Sequence, residues 1–158
     1  FSGQLAAQRG LPYAFASHFA PRMLMQAIEL YRSTFVPSAV LSKPRVVVGV
    51  PLVAAPTDDE AQFLASSIFQ RVSGIVRGER KALQPPLAGY LESRDHQERA
   101  AIADFLAMAV IGSPATVAEH LKKIVDVTEA DELMLVCDIF DTQLRLRSLE
   151  IAAAAMPA

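Results

Sequence analysis

The stretch that most constrains this chain is "RVVVGVPLVAA", Arg45 to Ala55. It is rich in β-branched valine and shows no alternation of polar with apolar residues, so it suits a strand buried on both faces. Burial of that kind belongs to parallel sheets sandwiched by helices, because a strand with one wet face alternates. Such a strand requires amphipathic helices to cover it.

The rest of the chain supplies them. After Pro21, which fits the first turn of a helix, Leu24, Ala27, Ile28, Tyr31 and Phe35 recur on one face at helical period. Thr57-Asp58-Asp59-Glu60 is a capping-box pattern, and the helix it opens carries Ala61, Leu64, Ile68, Val72 and Ile75 in one stripe before Gly74 and Gly78 mark its end. A helix near 97–110 has Ile102, Phe105, Leu106 and Ala109 on its apolar side. Another follows with Ser113 as N-cap and Pro114 at its first position, and "TQLRLRSLEIAAAA" forms a last helix. At the start, residues 2–9 read as a short helix capped by Ser2 and stopped by Gly10.

Two more segments read as strands: Tyr13 to Ala16, short and buried, and "ELMLVCDIF", Glu132 to Phe140. Between residues 78 and 96 the chain turns charged and proline-rich, which predicts a long surface loop of the kind that is usually functional or mobile. Strands alternating with long amphipathic helices indicate parallel βα units and an α/β fold. Three strands cannot close a barrel, and a complete eight-stranded βα barrel needs about 250 residues, whereas this chain has 158. The pattern is that of one partial domain, the latter part of a barrel. The opening Phe-Ser-Gly-Gln, without Met, fits a piece of a longer polypeptide.

Composition removes several classes of function. With 52% hydrophobic residues, 20% charged and a formal net charge of −2, the chain has no electrostatic case for nucleic acid or an anionic membrane. No apolar run approaches the roughly 18 residues of a membrane span, and a single cysteine, Cys137, fits a reducing, cytoplasmic setting. The histidines His96 and His120 lie on separate segments without ligand spacing, which predicts surface residues and no metal site.

In order, "LAAQRGLPYAFASHFAP", "PRVVVGVPLVAAPTDDEAQFLA", "IGSPATVAEHLKKI" and "DELMLV" resemble the luciferase-like flavin-dependent monooxygenases. The resemblance covers nearly the whole chain but only about the C-terminal half of a family member. It implies a βα barrel of the TIM type, of which this chain would supply the helix after strand five and then units six to eight. It also implies reduced FMN, delivered by a flavin reductase, with dioxygen and a small organic substrate; some relatives use the deazaflavin F420 instead. Family members often dimerise, and open strand edges add reason to associate. A half-barrel without the earlier strands would be inactive alone; the other reading is a non-catalytic half-barrel that self-associates.

The resemblance places Ser2, with Gly3, where family members grip the flavin phosphate with small residues, hydroxyls and helix-end amides. The reading without it is a plain helix cap, and both roles are compatible. Ser17, His18 and Phe19 would stand at the C-terminal end of strand six, the active-site face of a barrel, lining a flavin or substrate pocket. An ordinary loop histidine is the alternative for His18. Asp138 and Asp141 bracket the end of the last strand, with helix capping the favoured role for Asp141. Cys137 reads as a small buried apolar residue, and Gly112-Ser113-Pro114 as a cap.

Overall fold

The computed structural model describes residues 1–17, 20–79 and 81–156. Its elements run α1 (Ser2–Gln8), β1 (Tyr13–Phe15), a 3-10 turn (Pro21–Met23), α2 (Leu24–Ser33), β2 (Val46–Ala54), α3 (Asp58–Val76), α4 (His96–Phe105), β3 (Val110–Gly112), α5 (Pro114–Thr128), β4 (Glu132–Val136) and α6 (Thr142–Ala155). Among the described residues no helix is long and apolar enough to cross a membrane.

The valine run is the centre of the sheet. β2 pairs in parallel with β1 from Tyr13↔Val46 to Phe15↔Val48, with β4 from Val47↔Glu132 to Pro51↔Val136, and with β3 from Leu52↔Val110 to Ala54↔Gly112. Every β2 residue except Val47 is buried, as the unbroken apolar run predicts. Pro51 is tolerated inside a central strand because of where it falls: on the last β4 rung, past the last β1 rung and before the first β3 rung. Beyond the ladders the strand is fastened by single bonds. The Ala54 amide donates to Ser148 Oγ on α6 at 2.8 Å, and the Ala55 amide donates to the Gly112 carbonyl at 3.2 Å. Successive strand amides point to opposite edges, so the end of β2 is held from both sides.

Two apolar clusters result. One lies between the sheet and α1, α2, α5 and α6, around Val46, Val48, Val50, Leu52, Leu24, Ile28, Tyr31 and Leu121. Within it Tyr31 is fully buried, stacks against Tyr13 at 5.2 Å, and keeps its hydroxyl satisfied by donating to the Leu11 carbonyl and accepting from the Arg45 amide. The second cluster lies at the carboxyl end of the strands, where Val53 and Ala55 meet α3 (Ala61, Leu64, Ile68, Phe69, Val72), α4 (Ile102, Leu106) and Ile139. The sheet of described strands is not closed: β1, β3 and β4 each pair only with β2.

Several expectations shift. Ser2 is the first residue of α1, not its cap: Phe1 holds that position and offers no side-chain bond. Gly10 does stop the helix, at φ +60°, and the Ser38 side chain and Val36 carbonyl crowd where a Cβ would stand. β1 ends at Phe15 with Ala14 exposed, and Ile75, on the expected α3 stripe, is exposed because it borders a cavity that it shares with Phe105 of α4. β4 stops at Val136 because the chain then bends inward, with Ile139 buried and its carbonyl receiving the Arg145 guanidinium. The helix near 97–110 ends at Phe105, and the chain past it forms the extra strand β3. The capping residues Thr57 and Asp141 behave as the sequence reads, and Asp95 caps α4 in the same way.

Candidate active site

The strands are parallel, so their carboxyl ends converge on one side, and α3 with α4 covers that side. Beneath this layer is a small cavity of about 100 Å³ between Pro51 and Val136 on the sheet and Ile68, Val72 and Leu106 on the helices. A larger one, about 720 Å³, opens between the second half of α3 and the segment up to Tyr90. Arg71, Ile75 and Phe105 line both. The Arg71 guanidinium spans the gap to the loop after β4 and holds Asp138 Oδ2 at 2.5 Å. An α-helix is thereby tied by charge to the exit of the last strand.

A second polar cluster lies where β3 leaves the sheet. Asp58, in the first turn of α3, accepts from the Ser113 amide at 2.7 Å and from Thr116 Oγ1 at 2.8 Å. The Ser113 amide first, and the Thr116 hydroxyl second, hold the Asp58 carboxyl below its usual range. Gly112 is required beside it: a Cβ there would stand 2.5 Å from Thr116 Cγ2 and 2.7 Å from Asp58 Oδ1. Ser113 occupies the N-cap position of α5, but its hydroxyl faces Thr116 at 3.2 Å instead of capping the helix.

The residues singled out from sequence fall as follows. Ser2 is exposed in the opening turn of α1, which contains no acidic residue. Gly3 is buried, and a Cβ there would lie 3.1 Å from the Tyr13 ring, so packing also asks for glycine. Ser17 is fully buried and donates its hydroxyl to the Gly49 carbonyl, continuing the β1–β2 association past the end of the ladder. His18 and Phe19 lie outside the described residues.

His96 opens α4 and His120 lies on α5, both exposed. Asp141 accepts from the amides of Gln143 and Leu144 and caps α6. Cys137 is half-buried, and burial pushes its thiol up, which disfavours the nucleophilic thiolate. Sequence reasoning missed Arg71, Ser73 and the Asp58 cluster. Only Asp58 left a trace, inside the Thr57–Glu60 capping pattern.

The comparisons agree with this architecture. Residues 2–129 match the family described as "Luciferase-like monooxygenase". The chain is 45% identical over 152 residues to a protein named luciferase-like monooxygenase from Escherichia coli K12, covering 96% of this chain and 45% of that protein. It is 41% identical over 153 residues to the uncharacterized protein YvbT of Bacillus subtilis, covering 97% and 46%. The crystal structure of apo-MsnO8 superposes with a TM-score of 0.78 at 30% identity, covering 99% of this chain and 49% of that one. The oxygenating constituent of 3,6-diketocamphane monooxygenase, solved in complex with FMN, shares the fold with a TM-score of 0.52 at 17% identity. The chain spans about half the length of the curated relatives it matches. With its parallel sheet, covered strand ends and family match over residues 2–129, the chain belongs to the luciferase-like monooxygenase family.

Proposed function

We propose that these residues form units six to eight of a flavin-dependent monooxygenase that uses reduced FMN and dioxygen on a small organic substrate. The observation that supports this best is the cavity-bearing layer of α3 and α4 over the strand ends, the side on which βα barrels keep their active sites. The solved relative with FMN bound makes FMN the first choice over F420, with a separate flavin reductase supplying the reduced form.

The residues fit one end of that cofactor. The opening turn of α1 has free amides and no carboxylate, and the Ser2 hydroxyl is exposed beside them, which suits a phosphate. In this reading Ser2 and the Gly3 amide hold the phosphate, while Ser17, His18 and Phe19 contribute to the pocket wall, Ser17 by locking the β1 exit onto Gly49. When bound, the flavin supplies the reaction with dioxygen; the protein orients substrate and keeps water out. α3 and α4 do the excluding, and the Arg71–Asp138 pair fixes that layer to the sheet.

These residues leave the sheet open, so in this reading they are inactive alone. FMN titration followed by flavin fluorescence tests the assignment, first on this chain and then on a polypeptide carrying the remaining βα units. Tight binding and flavin-dependent oxygen consumption in the longer polypeptide, weakened several-fold by Ser2→Ala, support it. Absence of flavin binding in both refutes it. The open β1 and β4 edges favour a second reading, a half-barrel that associates with a second copy. In that case sedimentation shows a stable oligomer and flavin has no effect on it.

A further inference from the structure

A void left in a folded core is destabilising in proportion to its volume, so one that a fold keeps beside the carboxyl ends of its strands asks for a use. The smaller cavity is such a void. It measures about 100 Å³ and lies where Pro51 of β2 and Val136 of β4 meet Ile68 and Val72 of α3 and Leu106 at the end of α4. The helix side chains that roof it are buried, Val72 at 1% exposure, so the space lies beneath the layer of α3 and α4 and not on its surface.

Volume limits what this space can take. Organic ligands and cofactors occupy pockets of about 300–1,000 Å³, several times larger, whereas a molecule of two or three heavy atoms fits. The wall sets the polarity. Among the described lining residues the only polar side chains are Arg71 and Asp138, and these hold each other at 2.5 Å. Arg71 also lines the larger cavity, which puts the ion pair on the side facing it, and the other lining side chains are carbon. A cavity holds water only where about two to four polar groups can bond to it, while apolar cavities stay dry and take up nonpolar guests such as xenon. Access is provided as well: Ile75 and Phe105 line both cavities, and Ile75 is 42% exposed, so a small molecule reaches the inner space from the outer one past these two side chains.

We propose that the inner cavity is a binding site for a small nonpolar molecule, and that its occupant is dioxygen. Dioxygen carries no charge or dipole, so carbon-lined space favours it over water. The identity of the occupant rests on the monooxygenase reading, which it deepens by giving dioxygen a holding place next to the strand ends; the existence of the site does not. Val72 and Val136, from opposite walls, set the size of the guest, and the Arg71–Asp138 pair closes the polar end.

Xenon is the probe for the site, applied under pressure to the protein without flavin and followed by the methyl resonances of its valines, leucines and isoleucines. Saturable shifts are expected at Ile68, Val72, Leu106 and Val136 and not at Val46 or Val48 in the other cluster. Val72→Phe, which fills the space, abolishes them, and Ile68→Ala, which enlarges it, increases the xenon bound. If Val72→Phe loses its cooperative unfolding transition, Val136→Phe, at a half-buried position, fills the cavity from the sheet side and decides. Shifts that do not saturate, that are equal in the two clusters, or that survive filling of the cavity overturn the site. In the longer polypeptide carrying the remaining βα units, Val136→Phe is expected to raise the KM for dioxygen several-fold with the Kd for FMN unchanged; an unchanged KM overturns dioxygen as the occupant. The two readings fail separately: absence of flavin binding in the longer polypeptide rejects the monooxygenase and with it dioxygen, while the xenon result alone decides whether the cavity is a site.

Discussion

At Gly112 a methyl group has nowhere to go. Thr116 and Asp58 stand within 2.7 Å of where it would be, and neither moves without breaking the bonds between them. Gly112→Ala is therefore expected to cost roughly 1–3 kcal/mol, as overpacking typically does, seen as a lower urea midpoint with an unchanged slope. Asp58 adds a pH dependence. Its carboxyl is held down in the folded protein by the Ser113 amide and the Thr116 hydroxyl, so its share of stability is present above the unfolded aspartate value of about 4 and is lost as pH falls through the lower folded value. Urea midpoints measured from about pH 5 downwards should fall less steeply for Asp58→Asn than for the parent.

Among the elements, α5 ends on a residue of the wrong type for its backbone. Glu129 sits at φ 49°, ψ 38°, a left-handed conformation that favours glycine. Replacing it with Gly relieves strain of about 1 kcal/mol, partly offset by the looser unfolded chain and by loss of the Arg32 pair to its side chain. Arg32 keeps its bond to the residue 129 carbonyl, so a small net gain in thermal stability is expected. Which elements could be read from sequence follows from how local their causes are. The Thr57 and Asp141 caps and the valine run each state their structure within a few residues. β3 does not: Val110–Gly112 is too short to show a period and becomes a strand only because β2 extends past its other partners. Arg71, paired with Asp138 across 67 positions, left no sequence signal. The carboxyl ends of the strands and Asp138 beside them were legible as a candidate location, while the arginine that pairs with Asp138 was not.

For the molecule as a whole, the open sheet governs behaviour. The Tyr13 amide donates to the Arg45 carbonyl, so the next amide along β1, that of Ala14, points away from β2 towards the free edge. Ala14→Pro removes a donor that the sheet does not use and blunts that edge. It is expected to reduce concentration-dependent association in sedimentation while leaving the far-ultraviolet circular dichroism unchanged, and to impair closure in any longer polypeptide where β1 must accept a neighbour. The division of the core into two clusters has its own result. The layer of α3 and α4 has an apolar cluster of its own, joined to the rest of the fold through Val53, Ala55 and Ile139 and through the bonds of Asp58 and Arg71, and is expected to open as one cooperative unit. Its amides should exchange with solvent through openings that leave Val46 to Leu52 protected, and the walls of the cavity can part to admit a molecule while the strands beneath stay registered.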